Sequence, residues 1–542
     1  MTNRRPVIIV GAGPVGLTTA LEFAKLNIPF VVVEEDATVS TLPKAGTLMP
    51  RTLEIFDNIG VVTPVLEAGL RFDEIHFVER SSDKVLVHVD MHLLRDITAF
   101  PFVLNLPQHE LEPILLDAVL KSGMGTVLFN HKLVDFSQDA SGCYVTVETE
   151  HGQKTLEGEY TIGCDGSHSA LRKLLGVKME GKTYPERFMV IDTQVPLDQR
   201  EGRKLTYLSY VFDPNEWIIA VRQPKFWRFL FPVQEGDPDP SQEEMERKIR
   251  IAVGNLPVEL VASSVYKVHH RCANRFRVGR AFLVGDAAHL ITPVGGLGLN
   301  TGICDADNLP WKINMVMTGL ASSDLLDTYE AERQPIAQFN AQNLADRNRR
   351  YIMMKNPVKR LIRNVALRYV EGSEKLKWQT AAQGSLLATS YNPVKRKPGG
   401  KILEGDRIPD GPLLDHSGEY VRLYNLIEKD FIALTFADAR NRPVLDNDVD
   451  GFRAYLITSQ DATHDTELRK RSFLDLGGRL RQRLGAQPGE VYLVRPDGYV
   501  AKVFAGNQKT ALEVFYEVLG EPDGWLKPNV NWTKPADERD FG

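Results

Sequence analysis

Cysteine is scarce: four in 542 residues, at 143, 164, 272 and 304, with no C-x-x-C pair. That spacing excludes a zinc finger or a disulfide framework and leaves no metal site to expect. The four read as buried apolar residues or free thiols of a reducing compartment. No apolar run approaches the roughly 18 residues of a membrane span. No block of lysine or arginine stands out against a net charge of −6, which argues against nucleic acid as the main partner. The opening "MTNRRPVIIVGAG" enters a strand by residue 6, so no signal peptide is expected and the cytoplasm is the expected location. Internal repeats and low-complexity tracts are absent as well. What remains is 43% hydrophobic and 25% charged, the composition of a soluble globular protein long enough for two to four domains.

The first informative stretch is "PVIIVGAGPVGLTTALEFAKLNIPFVVVEEDA". Val7 to Val10 form a continuous apolar run, as in a parallel strand buried on both faces. Gly11, Gly13 and Gly16 follow as G-x-G-x-x-G, with Pro14 and Val15 between the last two. The first glycine makes the tight turn, the second admits a pyrophosphate, and the third lets helix and strand pack closely. The helix N-terminus then offers free N–H groups to phosphate. Glu34 ends the next strand, where a carboxylate accepts from ribose hydroxyls. This pattern predicts dinucleotide binding but does not separate FAD from NAD. A plain βαβ unit is the structural alternative.

Two later stretches carry the same kind of signal. "TIGCDGSHSALRKLLG" (161–176) places Asp165 and Gly166 at a strand end and Ser169 and Arg172 in the helix that follows. Taken alone, it is either a second polar ligand turn or a helix capped by Asp and Ser. "RAFLVGDAAHLITPVGGLGLNTG" places Gly285 and Asp286 at another strand end. Pro293, Gly295, Gly296 and Gly298 then lead into a helix near Leu299 and Asn300. Backbone N–H groups at such a helix start favour negative charge.

These three motifs, in this order, resemble the FAD-dependent aromatic hydroxylases, the single-component flavoprotein monooxygenases. The resemblance covers about residues 6 to 345. It includes "LPQHELEPIL", "DADNLPWKI" and "LLDTYEAERQP". It is nearest the longer phenol and 3-(3-hydroxyphenyl)propionate hydroxylase branch. It implies FAD contacts from Gly11, Gly13, Pro14, Val15, Gly16, Glu34, Lys44, Arg51, Gln108, Asp165, Gly166, Arg172, Gly285, Asp286, Gly296, Gly298, Leu299 and Asn300. Lys44, in "PKAG", stands where many members carry arginine. Pro293 is placed beside the reacting flavin edge. His289 reads either as a base for a phenol or as a tie within the loop. The implied chemistry is NADPH or NADH reduction of FAD, reaction with O2 to a C4a-hydroperoxide, and hydroxylation of a small aromatic substrate. A homodimer is the family default.

The implied fold is α/β. A Rossmann-like FAD-binding domain (1–73, 102–181 and 272–390) carries an inserted β-sheet substrate domain (74–101 and 182–271). A thioredoxin-like C-terminal domain (400–542) follows a Pro/Gly-rich passage, and its lack of cysteine excludes thiol redox chemistry. Within the insertion, Tyr207, Tyr210, Trp217, Trp227 and Arg228 are the candidate substrate residues, although aromatics in strands are more often core. Two alternatives stay open. One is a FAD-dependent tailoring oxidase or epoxidase acting on a polycyclic or heteroaromatic compound. The other is a non-catalytic flavin-binding scaffold. A halogenase is excluded, because no W-x-W-x-I-P stretch is present.

Overall fold

The computed structural model describes residues 5–42, 44, 46–197, 205–392, 400–437, 445–459 and 466–520. Pro43 and Ala45 of the "PKAG" stretch, Lys204, and the last 22 residues of the expected C-terminal domain lie outside that set. Two compact units result. The first comprises 1–95, 100–306 and 337–387; the second comprises 96–99, 307–336 and 388–542.

The first unit is built on two large sheets. In one, the strands Ala281–Leu283, Thr161–Gly163, Val7–Val10, Phe30–Val33 and Gly125–Leu128 lie side by side and parallel, with Arg277–Val278 antiparallel at one edge. Every residue of Val7–Val10 is buried, as the uninterrupted apolar run requires. The helix Pro14–Lys25 starts with proline at a position whose N–H has no helical partner anyway. The second sheet has eight strands. The β-rich runs "KLTYLSYVF", "EWIIAVR" and "FWRFLFPV" predict a meander and "SSDK" a hairpin turn. The meander is there as Leu208–Phe212, Ile218–Arg222 and Trp227–Val233, and the hairpin as Glu74–Glu79 and Lys84–Asp90. The hairpin joins the meander through a parallel pairing of Leu208–Phe212 with Glu74–Glu79.

Side-chain alternation assigns the two faces of that sheet. Met189, Ile191, Val211, Ile218, Ala220, Trp227, Phe229 and Phe231 pack under the helix Gln242–Val253 in one apolar core. The opposite face carries Tyr210, Ile219, Leu230 and Val190 in one cross-strand row, and Leu208, Val221, Arg228 and Asp192 in the next.

Further along, the helix Pro357–Glu371 leaves Val358, Leu361, Ile362, Val365 and Tyr369 more than half exposed. From Arg347 to Val370 the chain has eight basic residues and no acidic one. These charges are spaced through a helical region instead of standing in a block.

The second unit holds a seven-stranded mixed sheet around Phe431–Ala437, with an apolar core on each of its faces. Where the sequence suggests one helix over 464–484, the described part is interrupted. Thr466–Lys470 is helical, Ser472–Leu474 is a strand paired to Phe452–Thr458, and Arg479–Leu484 is a second helix. Gly477 and Gly478, both at positive φ, make the break. The unit also takes in 307–336, which the sequence reading gave to the FAD-binding domain.

The reason for that grouping is a buried charge cluster. Glu332 accepts from Arg495 Nη1 (2.8 Å) and Nη2 (2.9 Å), from Lys312 Nζ (2.9 Å) and from Asn308 Nδ2 (2.9 Å). Asp497 accepts from Arg495 Nε at 2.9 Å and from Asn308 at 3.1 Å. The "DADNLPWKI" and "ERQP" stretches therefore serve this cluster, and all of its charged members are at most 2% exposed.

Candidate active site

The three glycine-bearing motifs are far apart in sequence and meet at one edge of the parallel sheet. Val10 pairs with Val33 and with Gly163, and Gly163 pairs with Leu283. The residues that follow these strand ends are Gly11, Glu34, Asp165 and Asp286. They share the carboxyl edge, where open α/β sheets bind their ligands.

Local packing separates the roles of the glycines. A β-carbon on Gly11 would stand 2.5 Å from the Cys164 carbonyl oxygen, and one on Gly16 would stand 2.0 Å from the Gly11 oxygen. Those two are glycine because backbone fills the space. A β-carbon on Gly13 meets nothing within 4 Å. The turn is thus closed on its protein side and open on the other, which fits a pyrophosphate over Gly13. Val15 packs on Gly285 and Gly302, so the first and third motifs touch directly.

Glu34 is half-buried, and its carboxylate accepts from Ala12 N (2.6 Å) and Asp36 N (3.1 Å). Asp165 caps the helix Ala170–Leu174 through Leu171 N at 3.0 Å, while its Oδ1 makes no hydrogen bond. Ser169 caps the same helix through Arg172 N. Arg172 reaches across to the Ala287 oxygen (2.9 Å) and the Ser167 oxygen (2.9 Å), tying the second motif to the third. Its side chain is committed to these carbonyls, so it holds the site together. Asp286 is exposed to solvent yet closely surrounded by protein atoms. Burial raises its pKa, against the pull of His289 and Lys44.

The structure brings other expected contacts in with altered roles. Asn300 makes four bonds, all to protein: to Met49 N, Thr52 Oγ1, the Thr47 oxygen and the Gly296 oxygen. It fixes the 47–52 segment against the start of the helix Leu297–Met317. Arg51 is 3% exposed and paired with Glu54, which places it in the core and not at an open face. Gln108 donates to Glu112 at 2.6 Å, and Glu112 also accepts from Ser40 N at 2.7 Å. Sequence reading missed Glu112. Its pKa is raised, first by burial, with Gln108, Ser40 and Lys44 opposing. Gly296 N donates to the Pro293 oxygen at 3.0 Å, closing a turn in which Gly295 and Gly296 both have positive φ. Gly166 also has positive φ, and Gly298 and Leu299 lie in the first turn of the helix that follows.

His289 departs from the catalytic expectation. It is 1% exposed, and its Nε2 lies 2.7 Å from Asp305 Oδ2, which also accepts from Gly285 N. The ring ties the G-D loop to a helix, a role the sequence offers as the alternative. Asp305 opens the "DADNLPWKI" stretch, but nothing in that stretch points to His289.

The substrate candidates divide by sheet face. Trp227 points into the core under Gln242–Val253, on the sheet face opposite Tyr210. Trp217 is 1% exposed, edge-on to Phe188 at 4.9 Å. Arg228 is held by Asp192 at 2.7 and 2.8 Å and also donates to the Lys44 oxygen, so it arrives already paired. Tyr207 is exposed, edge-on to Phe72 and Trp227. Tyr210 stacks on Phe77 at 5.0 Å, and its hydroxyl faces the Gly295 amide. Tyr266, which sequence reading missed, shares that face beside Phe188 and near Arg228. Burial raises the pKa of both tyrosines. His269 and His270, unplaced from sequence, lie on the strand Glu259–Ala273, with His269 bonded to Thr183.

Comparison with known proteins agrees with this geometry. The FAD binding domain family matches residues 4–344. The 3-(3-hydroxy-phenyl)propionate/3-hydroxycinnamic acid hydroxylase of Escherichia coli is 27% identical, over 91% of this chain and 91% of its own. The 6-hydroxy-3-succinoylpyridine 3-monooxygenase of Pseudomonas putida is 32% identical, over 64% of this chain and 90% of its own. The solved anhydrotetracycline hydroxylase of Streptomyces rimosus superposes with a TM-score of 0.75 at 26% identity, covering 95% and 99% of the two chains. Among the described residues no helix is long and apolar enough to cross a membrane. The sheet-edge convergence and the family match lead to one assignment: the chain belongs to the FAD-dependent aromatic monooxygenases.

Proposed function

We propose that the chain hydroxylates a phenolic or related aromatic compound, with NADPH or NADH as reductant and O2 as oxidant. The observation that carries this reading is the meeting of Gly13, Glu34, Asp165 and Asp286 at one sheet edge. Bound FAD would supply the redox and oxygen-transfer chemistry, through a flavin C4a-hydroperoxide. The chain's own residues would bind and orient. The amides around Gly13 would take the pyrophosphate and Glu34 a ribose. Asp286 would hold the polyol chain, and the amides from Gly296 to Leu299 would face the ring edge. Gln108, backed by Glu112, would add a further polar contact. Pro293 would shape the backbone beside the reacting ring edge. On the facing sheet, Phe77 and Tyr210 would wall the aromatic substrate, with the Tyr266 hydroxyl and the Arg228–Asp192 pair as its polar handles.

The test is anaerobic reduction of the purified flavoprotein by NADPH and by NADH, with and without a panel of aromatics. The panel should include phenols, phenylpropionates, hydroxypyridines and polycyclic phenols. One compound should raise the reduction rate by orders of magnitude and then gain one oxygen atom from labelled O2. Fast reduction in the absence of every aromatic, with peroxide as the sole oxygen product, would count for an oxidase instead.

A further inference from the structure

We propose that Glu74, His76 and His88 form a binding site for a divalent transition-metal ion, with zinc as the best match. The three lie on one face of the hairpin Glu74–Glu79 and Lys84–Asp90. His76 is directly opposite His88. The His88 N–H donates outward to Glu371 at 2.8 Å and not to the neighbouring strand. The 76/88 pair is therefore a non-hydrogen-bonded one, the kind that holds opposite side chains closer together. The rings meet edge to face with centroids 5.1 Å apart.

The donor atoms are spaced for an ion. Glu74 Oε2 is 3.5 Å from His76 Nε2, Glu74 Oε1 is 3.5 Å from His88 Nε2, and all three donor atoms lie within 4.8 Å of one another. Tetrahedral zinc with bonds of about 2.0–2.1 Å separates its ligand atoms by about 3.3 Å. Both separations to the carboxylate are thus within a few tenths of an ångström of that value. His88 Nε2 is shielded from water and makes no hydrogen bond, so a donor atom already points at the position an ion would take. Two imidazoles and one carboxylate suit zinc and neighbouring transition metals, whereas calcium and magnesium prefer oxygen ligands throughout. A water would complete the fourth position. The ion would act as a staple. The opposite face of the same strand carries Phe77, stacked on Tyr210, so fixing the hairpin register fixes that wall.

The experiment uses the full-length flavoprotein, stripped with a chelator and titrated with zinc chloride against a chromogenic competitor. Cobalt(II) reports the coordination through its visible bands beyond the flavin absorption. The expected result is one ion per chain with a four-coordinate cobalt spectrum. Binding should weaken at least about tenfold in His88→Ala and in Glu74→Gln. Glu74→Gln keeps the side-chain shape at a half-exposed position, and unchanged flavin content verifies its fold. His269→Gln, remote from the hairpin register, should leave binding unchanged. Zinc binding that is equal in the parent and both hairpin variants would overturn the proposal. So would no binding up to millimolar zinc, which would make the cluster a plain histidine–carboxylate contact.

Discussion

The carboxylates at the sheet edge and those beside Arg495 are the same chemical group in opposite settings. Among the described residues, Glu34, Asp165 and Asp286 form no salt bridge; Glu34 and Asp165 meet backbone N–H groups, one Asp165 oxygen is buried without a hydrogen bond, and Asp286 is exposed. Glu332 has four side-chain donors from two cations and an amide, all inside the protein. Burial alone would raise the Glu332 pKa. Arg495 and Lys312 outweigh it and hold the carboxyl at about 2, while burial draws Lys312 down to about 8. A carboxylate whose cations are already in place holds a fold. One left with open coordination and no cation is set to receive a ligand. The partners of a residue therefore separate the two roles better than its burial does.

Breaking the internal set should give the largest effect. Glu332→Gln leaves Arg495 and Lys312 undercompensated, so the second unit should lose about 3–5 kcal/mol of stability in denaturant unfolding. Flavin content per folded molecule should stay the same. Loss of flavin without loss of stability would erase the contrast.

Acid should act on the same group. The folded pKa of Glu332 is about 2 and its ordinary value is 4.5. Its contribution is complete above pH 4.5 and is lost as pH falls towards 2. The loss amounts to about 3 kcal/mol, and the Gln variant should lack that slope.

At the sheet edge the sign of the comparison reverses. Asp286→Ala should weaken FAD binding to the apoprotein by about 1.5–3 kcal/mol, roughly ten- to a hundredfold, as read by flavin fluorescence quenching. The unfolding free energy of the apoprotein should change by less than about 0.5 kcal/mol. An equal fall in both would show that Asp286 is structural.

Two alanine substitutions in one turn sharpen the point. Gly16→Ala meets backbone at 2.0 Å and should cost about 1–3 kcal/mol of stability. Gly13→Ala has room to fold and should lose FAD affinity instead. Smallest of all, Tyr266→Phe should lower kcat/KM for the substrate by about 1 kcal/mol, roughly fivefold, with the melting temperature unchanged.

Much of the sheet edge was legible in the sequence because each motif is local. A strand end, its glycine and its acid lie within a few residues, and the turn chemistry names itself. The meander and hairpin were legible for the same reason. What escaped was every role fixed by a distant partner. Arg228 looked like a free guanidinium until Asp192, 36 residues away, was seen to hold it. His289 read either as a base or as a tie within the loop until Asp305 was found against it. Trp227 and Tyr210 looked equivalent, and only the pairing register puts them on opposite faces. Glu332 lies in the quoted "LLDTYEAERQP" stretch, but nothing there points to Arg495, 163 residues away.

That long-range cluster sets where the chain can be exchanged between relatives. A chimera joined at the proline- and glycine-rich passage near residue 400 would keep Lys312 and Glu332 from one parent and take Arg495 and Asp497 from the other. The smallest self-consistent graft is 96–99, 307–336 and 388–542, three separate pieces of sequence moved as one.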